Sequence, residues 1–180
     1  MNLYFDTDFT SLDKYADILS IGIVSDDGKK FYAEFTDYNP EKINYWVGKY
    51  ILDSFTLDSN NPIVVDGDLT TVKGSKDLIS KELSKWLGQY KFCTIWTDCI
   101  SYNWVLFCDI FDNNFNIPTN IHHLPLDLST LIYMQGVNDG LKVNEIITKQ
   151  YALLDADTSS SLAKAELIKK YHNKLLAEKV

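Results

Sequence analysis

The sequence contains no arginine: all 17 of its basic residues are lysine. Acidic residues outnumber them, with 25 aspartates and glutamates and a formal net charge of −8 at pH 7. Arginine is the side chain best shaped for bidentate contact with phosphate, so its absence argues against a dedicated nucleic-acid-binding protein. The lysines concentrate in residues 69–91 and 164–180. We interpret them as solvated helix faces, with a weak phosphate-binding patch as the alternative.

Cysteine and long apolar runs are also scarce. The three cysteines form no CxxC pair and no cysteine–histidine pair, which argues against a disulfide framework and a zinc site. No run approaches the roughly 18 apolar residues of a membrane-spanning helix. The first six residues lack the basic start and apolar stretch of a secretory signal, so we expect a cytoplasmic protein without a membrane partner. A chain of 180 residues that is 46% apolar fits one globular domain over residues 1–180.

Residue patterns predict a mixture of strands and helices. Alternating and β-branched patterns predict strands over residues 2–6, 17–24, 30–36 and 92–97. Helical spacing of apolar residues predicts a helix after Pro40 and further helices over residues 75–86, 102–111, 128–134, 142–151 and 161–176. This order of elements predicts an α/β protein with a central mixed sheet flanked by helices on both faces.

Two aspartates end the first predicted strand. Asp6 and Asp8 are two residues apart, so their side chains share one face of the strand and converge. Adjacent carboxylates need a cation or a proton to neutralise them, and hard divalent cations prefer oxygen ligands. Taken alone, such a pair also fits a structural turn or a solvated strand end. Both interpretations stay open on the pair itself.

Four ordered segments place the pair in a longer pattern. The first is Phe5-Asp6-Thr7-Asp8-Phe9-Thr10 followed by the hairpin from Ile18 to Phe35, and the second is Ile95-Trp96-Thr97-Asp98-Cys99-Ile100-Ser101-Tyr102-Asn103-Trp104. The third is Pro125-Leu126-Asp127-Leu128-Ser129-Thr130-Leu131, and the fourth runs from Ser159 to Leu175. In this order the chain resembles the DEDD 3′-5′ exonuclease superfamily, and within it the small RNase-T-like bacterial and phage branch. The resemblance implies an RNase-H-like (exonuclease) fold.

The resemblance also implies a site, and the sequence departs from it. Members of this superfamily use four carboxylates to hold two metal ions about 3.5–4 Å apart, with a histidine as general base. Asp6 and Asp8 match the first pair, but Asn103 stands at the next carboxylate. Ser159 stands at the histidine, and Lys164 replaces the last aspartate. The resemblance therefore implies a degenerate site, in which the Lys164 ammonium could neutralise the two aspartates as an ion pair.

Other residues offer alternatives. The stretch from Gln150 to Ala156 also imitates the last segment, which would make Asp155 a third metal ligand, although the histidine would still be missing. Asp98 and Asp109 flank Asn103, but strand and helix geometry should point both elsewhere, into ordinary surface roles. A loop or packing role is favoured for the adjacent histidines, and core packing for the tryptophans: His122, His123, Trp46, Trp86, Trp96 and Trp104.

These observations favour a catalytically degenerate exonuclease-fold protein of phage or mobile-element origin that needs no cofactor. We expect it to bind a protein or ribonucleoprotein partner and to inhibit or redirect a host nucleic-acid-processing complex. An anti-CRISPR-type inhibitor of an RNA-guided nuclease is the specific hypothesis. The alternative is an active exonuclease on RNA or DNA that uses Mg²⁺ or Mn²⁺ with a reduced ligand set.

Residues 56–72 are the candidate partner-binding segment. Its apolar residues Ile63, Val64 and Val65 lie between two turn-rich acidic stretches, Asp58 to Pro62 and Asp66 to Asp68. Apolar residues on a protruding arm would provide an anchor with an acidic rim. The alternative is an ordinary hairpin or loop at the edge of the sheet.

Overall fold

The computed structural model describes residues 1–142, 144–146, 148 and 160–177. Within them lie seven strands: β1 (Asn2–Phe9), β2 (Ile18–Ser25), β3 (Lys30–Phe35), β4 (Ile63–Asp66), β5 (Leu69–Gly74), β6 (Thr94–Thr97) and β7 (Leu126–Asp127). They form one sheet in the order β4-β5-β3-β2-β1-β6-β7. The pairs β1–β2, β2–β3 and β4–β5 are antiparallel, whereas β3–β5, β1–β6 and β6–β7 are parallel.

The described helices are α1 (Tyr45–Tyr50), α2 (Lys76–Leu87), α3 (Ile100–Asp109), α4 (Leu128–Asn138) and α5 (Ser161–Ala177), with short 3-10 turns at Pro40–Lys42 and Leu52–Ser54. Polar side chains set three of the starts. Asn44, Ser75 and Asp127 accept hydrogen bonds from backbone N–H groups in the first turns of α1, α2 and α4. These N–H groups have no partner within their own helix, so each cap stabilises its helix.

The alternation of β1 divides the core between the two faces of the sheet. Leu3 and Phe5 point to one face, where they belong to a buried cluster with residues of α2 and α3: Ile79, Leu83, Leu106 and Phe107. Tyr4 points to the other face and packs with Leu128, Ile132 and Ile168 of α4 and α5. A smaller cluster joins Leu19 to α1. Helices therefore cover both faces of the sheet.

The predicted α/β architecture with a mixed sheet between helices is confirmed. The structure extends the first strand to Phe9 and adds β5 and β7, which are not among the predicted strands. Of the helix predicted over 142–151, residues 144–146 and 148 are helical and most others lie outside the described residues. No described helix combines the length and apolarity that crossing a membrane requires.

The candidate partner-binding segment forms a hairpin at one edge of the sheet. β4 and β5 pair through the register Ile63↔Val72 to Asp66↔Leu69, and Gly67 takes a φ of 57° in the turn between them. All four residues of β4 are exposed. The segment therefore forms a hairpin at the edge of the sheet, one of the two alternatives that the sequence offered. Its role in binding a partner stays a prediction.

One glycine sets how closely α5 approaches the sheet. Gly22 lies on β2 opposite Asp6, under the first turn of α5. A Cβ built on Gly22 would lie 2.2 Å from both the Cα and the backbone nitrogen of Leu162. No real Cβ contact is that short, so any other residue at position 22 would force α5 away from β2.

We predict that Gly22→Ala lowers the free energy of unfolding by about 2–3 kcal/mol, since the added methyl group overpacks a backbone contact that cannot rotate away. Urea unfolding followed by circular dichroism measures the change. Gly48→Ala is the matched control, because its Cβ would meet only an Ile43 methyl carbon at 3.7 Å. Equal stability of the two variants would contradict the close packing of α5.

Candidate functional site

Asp6 and Asp8 lie near the carboxyl end of β1, on the face of the sheet that α5 covers. They are opposite Gly22 and Ser20 of the neighbouring strand β2. Both residues are buried, with exposures of 6% and 7%. A buried carboxylate needs hydrogen-bond donors or a cation around it, and β2, α3 and α5 provide them here.

The Asp8 carboxylate accepts three hydrogen bonds. Its Oδ2 accepts from Ser20 Oγ at 2.7 Å and from the backbone N–H of Ser161 at 3.2 Å, while its Oδ1 accepts from Lys164 Nζ at 3.0 Å. Ser161 is the first residue of α5, where the helix dipole and the unpaired N–H groups favour a negative charge. Asp8 therefore fixes the start of α5 to β1.

Asp6 is held by a neutral amide from α3. Asn103 Nδ2 donates to Asp6 Oδ1 at 2.9 Å and to Thr97 Oγ1 at 2.6 Å. Asn103 Oδ1 in turn accepts from Thr7 Oγ1 at 2.6 Å. Asn103 is 1% exposed, so these contacts satisfy a side chain that water does not reach.

Lys164 contacts both aspartates from the first turns of α5. Its Nζ lies 3.0 Å from Asp8 Oδ1 and 3.4 Å from Asp6 Oδ2. Burial lowers the pKa of Lys164, but the charges of Asp6 and Asp8 outweigh burial and hold that pKa above its usual range. The lysine is therefore a permanent cation beside the acidic pair.

Burial raises the pKa of Asp6 to about 7, although Lys164 opposes the shift. The folded-state pKa thus lies above the ordinary pKa of about 3.9 for the unfolded chain. As the pH rises, the Asp6 carboxyl group ionises in the unfolded chain before it ionises in the folded chain. The free energy of unfolding therefore falls between about pH 4 and pH 7.

The acidic pair borders a cavity of about 300 Å³. Asp98, which follows β6, also lines this cavity, so the prediction of an ordinary surface role for Asp98 was wrong. Its Oδ1 is buried without a hydrogen-bond partner, and burial raises the pKa of its carboxyl group. β6 pairs in parallel with β1, so the residue after β6 reaches the same end of the sheet as the acidic pair. That pairing was not readable from the residues around Asp98.

The other predicted residues fall in different places. Ser159 and Asp155 lie outside the described residues. His122 and His123 lie before β7 and do not line the cavity. Core packing was the wrong prediction for Trp46, which is 58% exposed and borders the cavity, because the short helix α1 buries only Val47 against the sheet.

The donor set around the acidic pair does not fit the two metal ions that the resemblance implies. An ammonium and an amide N–H group point at the oxygens that would have to bind metal. Among the described residues, no group of three or more histidine, cysteine, aspartate or glutamate side chains is arranged to hold a metal ion. The acidic pair in this arrangement therefore favours an ion pair with Lys164 over bound metal ions.

Sequence comparison relates the chain to nucleases. It is 28% identical over 106 residues to 3′-5′ exoribonucleases from two strains of Mycobacterium tuberculosis, CDC 1551 / Oshkosh and ATCC 25618 / H37Rv. The matched region covers 53% of this chain and 61% of each relative, so the chain spans about three fifths of the relatives' length. No protein-family model matches the chain.

The mixed sheet between two layers of helices is an α/β fold, and together with this distant homology it is consistent with an exonuclease (RNase-H-like) fold. The acidic pair lies near the end of β1. The mycobacterial exoribonucleases are distant relatives of the chain as a whole.

We predict that Lys164→Met lowers the free energy of unfolding more at pH 8 than at pH 5. At pH 8 the buried Asp6 carboxylate loses its cation, at a cost of about 2–3 kcal/mol for a pair whose lysine is 38% exposed. At pH 5 Asp6 is protonated in the folded chain, so the loss falls to about 1 kcal/mol.

Urea unfolding at the two pH values measures both numbers. Lys170→Met removes an exposed lysine from the same helix and serves as the control. A loss that is independent of pH, or equal for the two lysines, would show that Lys164 does not neutralise Asp6.

Proposed function

We propose that this chain is a catalytically degenerate 3′-5′ exonuclease-fold protein that acts by binding rather than by cleaving nucleic acid. One observation carries the proposal: Lys164 Nζ lies within 3.4 Å of both aspartates at the end of β1. An ammonium in that place repels a divalent cation and already compensates the charge that a metal ion would compensate.

The neighbouring amide supports the same conclusion. Asn103 Nδ2 donates to Asp6 Oδ1, so the donated hydrogen occupies a lone pair of this oxygen that a cation would otherwise bind. Asp8 is bonded to three donors and connects two elements of the fold. Both carboxylates therefore have structural partners, as a pair retained for stability would have.

Binding is proposed to involve a protein or ribonucleoprotein partner, with the edge strand β4 as the contact. The Lys73 N–H group donates to Pro62 O at 2.8 Å, so Pro62 and Lys73 form a hydrogen-bonded pair. Hydrogen-bonded and non-hydrogen-bonded pairs alternate along an antiparallel hairpin, and Ile63 and Val65 belong to the second kind. The backbone N–H and C=O groups of Ile63 and Val65 consequently point away from β5. Their side chains are 38% and 69% exposed, so an extended segment could add to the sheet here.

Charge specifies the partner further. Asp58, Asp66 and Asp68 are exposed around the hairpin, and the chain carries a net charge of −8. A basic extended segment complements this surface, whereas bare nucleic acid would be repelled. Inhibition or redirection of a nucleic-acid-processing complex fits such a partner. A phage or mobile-element inhibitor of an RNA-guided nuclease, of the anti-CRISPR type, is the specific form that we propose.

We predict that the purified chain does not shorten RNA or DNA oligonucleotides from the 3′ end with Mg²⁺ or Mn²⁺ above the level of its Asp6→Asn variant. Denaturing gels of 5′-labelled substrates measure the shortening. The double variant Asn103→Asp/Lys164→Asp returns carboxylates to two positions, so Mn²⁺ should raise the unfolding temperature of this variant and not that of the parent chain.

The alternative of an active exonuclease draws on the named activity of the relatives. It would be established by metal-dependent shortening that the parent chain performs and Asp6→Asn abolishes. Asp112→Asn, which alters a carboxylate that is 76% exposed, controls for the loss of charge in that assay.

We predict that Val65→Lys abolishes capture of the partner from a lysate of the source cells, because a lysine on the free edge repels a basic segment and blocks strand addition. Val105→Lys is the matched control, since Val105 is 64% exposed on α3 and far from β4 in the order of elements. Captured proteins are identified by mass spectrometry, and the contact is repeated with the purified component and after ribonuclease treatment.

Capture that depends on Val65 and survives Asp6→Asn supports binding through the edge strand. Equal loss with both valine variants, or capture that requires Asp6 alone, would assign partner binding to another surface.

A further inference from the structure

The cavity beside the acidic pair carries an excess of negative charge. Asp6, Asp8 and Asp98 all line it, and Lys164 is the one cation among its described lining residues. The negative charge of Asp98 opposes the ionisation of Asp6 and adds to the effect of burial on its pKa. Three carboxyl groups share one ammonium, so a second cation would stabilise the ionised forms of Asp6 and Asp98 and be attracted by them.

Two carboxylate oxygens of the cavity accept no hydrogen bond. Asp98 Oδ1 and Asp6 Oδ2 are both buried, and Asp6 Oδ2 has only the Lys164 ammonium at 3.4 Å. Asp6 itself is 6% exposed, so water does not compensate it. A buried acceptor without a donor costs about 1–3 kcal/mol, so a carboxylate that turned toward a ligand with several N–H groups would recover that cost.

An aromatic ring lines the same cavity as these acceptors. Trp46 of α1 lines the same cavity and is 58% exposed, and its ring lies 5.7 Å from that of Tyr50. Apolar side chains of Phe9 and Leu12 complete this side of the cavity. An exposed aromatic face next to carboxylates matches a flat cation, which can stack on the ring and donate at its edge.

The size of the cavity limits the ligand. About 300 Å³ lies at the lower end of the range for small-molecule sites, which fits one inserted side chain. The net negative charge disfavours a phosphate group. A lysine ammonium would satisfy the charge, but it lacks the planar face and the fork of donors that the two orphaned oxygens and the Trp46 ring favour.

We propose that this cavity binds the guanidinium group of an arginine side chain from a protein partner, with Asp98 and Asp6 as acceptors and Trp46 as the stacking surface. This inference rests on the proposed function, in that the acidic pair and Lys164 are taken to hold no metal. The chain itself has no arginine, so the ligand must come from another molecule.

The test uses the full chain and two short acetylated and amidated peptides, one with a central arginine and one with citrulline in its place. Citrulline keeps the shape and removes the positive charge. In ¹H–¹⁵N NMR titrations, the arginine peptide should shift the side-chain amide of Asn103 and bind with a Kd on the order of 1 mM, as befits one anchoring side chain. The citrulline peptide should bind at least about tenfold more weakly.

Three variants locate the contact. Asp98→Asn and Trp46→Ala should each weaken the arginine peptide about fivefold, since one removes an acceptor charge and the other the stacking face. Asp112→Asn removes the same charge from an exposed position and should leave the affinity unchanged. Trp46 is exposed, so its variant keeps the test valid if Asp98→Asn fails to fold.

Equal binding of the two peptides, no measurable binding, or binding that survives both cavity variants would overturn this inference. None of those outcomes touches the proposed function if the chain also lacks nuclease activity. Metal-dependent shortening of RNA, together with displacement of the arginine peptide by Mg²⁺, would instead overturn the proposed function.

Discussion

The contact between Asp8 and the first turn of α5 determines how closely this helix packs on the sheet. The buried Asp8 carboxylate accepts hydrogen bonds from the Ser161 N–H group and the Lys164 ammonium. The positive end of the α5 dipole therefore lies next to the negative charge of Asp8 and stabilises it. Gly22 lets the helix backbone descend to that contact. Tyr4 and Ile168 then pack beside it. Polar and apolar contacts thus depend on the same close approach.

That approach also defines the chemistry at the end of β1. A metal ion is exchangeable and gathers carboxylates around itself, whereas the Lys164 ammonium is part of α5 and forms directed contacts with two oxygens. Removing it leaves a buried charge, which links the site to stability. Under the proposed function, the acidic pair contributes to folding through Lys164 and Ser161 rather than to metal binding.

The two proposed recognition surfaces differ in physical character. The β4 edge offers unpaired backbone groups with acidic residues around them, which favours an extended basic segment. The cavity is lined by carboxyl groups and by the Trp46 ring, and we propose that it takes a single planar cation. Both proposed contacts favour positive charge in a partner, as does the net charge of −8 of the chain itself.

Much of the framework followed from the sequence by itself, because alternation and helical spacing are local properties. They identified β1 to β3, the helix α2 that follows Ser75, and the shared face of Asp6 and Asp8. The resemblance indicated Lys164 as a neighbour of these two aspartates. Tertiary structure alone decided the positions of Asp98 and Trp46. The spacing of apolar residues shows which residues share one face of a strand or helix. It does not show which element packs on that face or which strand pairs with its neighbour in the sheet. The parallel pairing of β6 with β1 brings Asp98 to the site. Within α1 only Val47 is buried, so the neighbouring Trp46 side chain stays exposed.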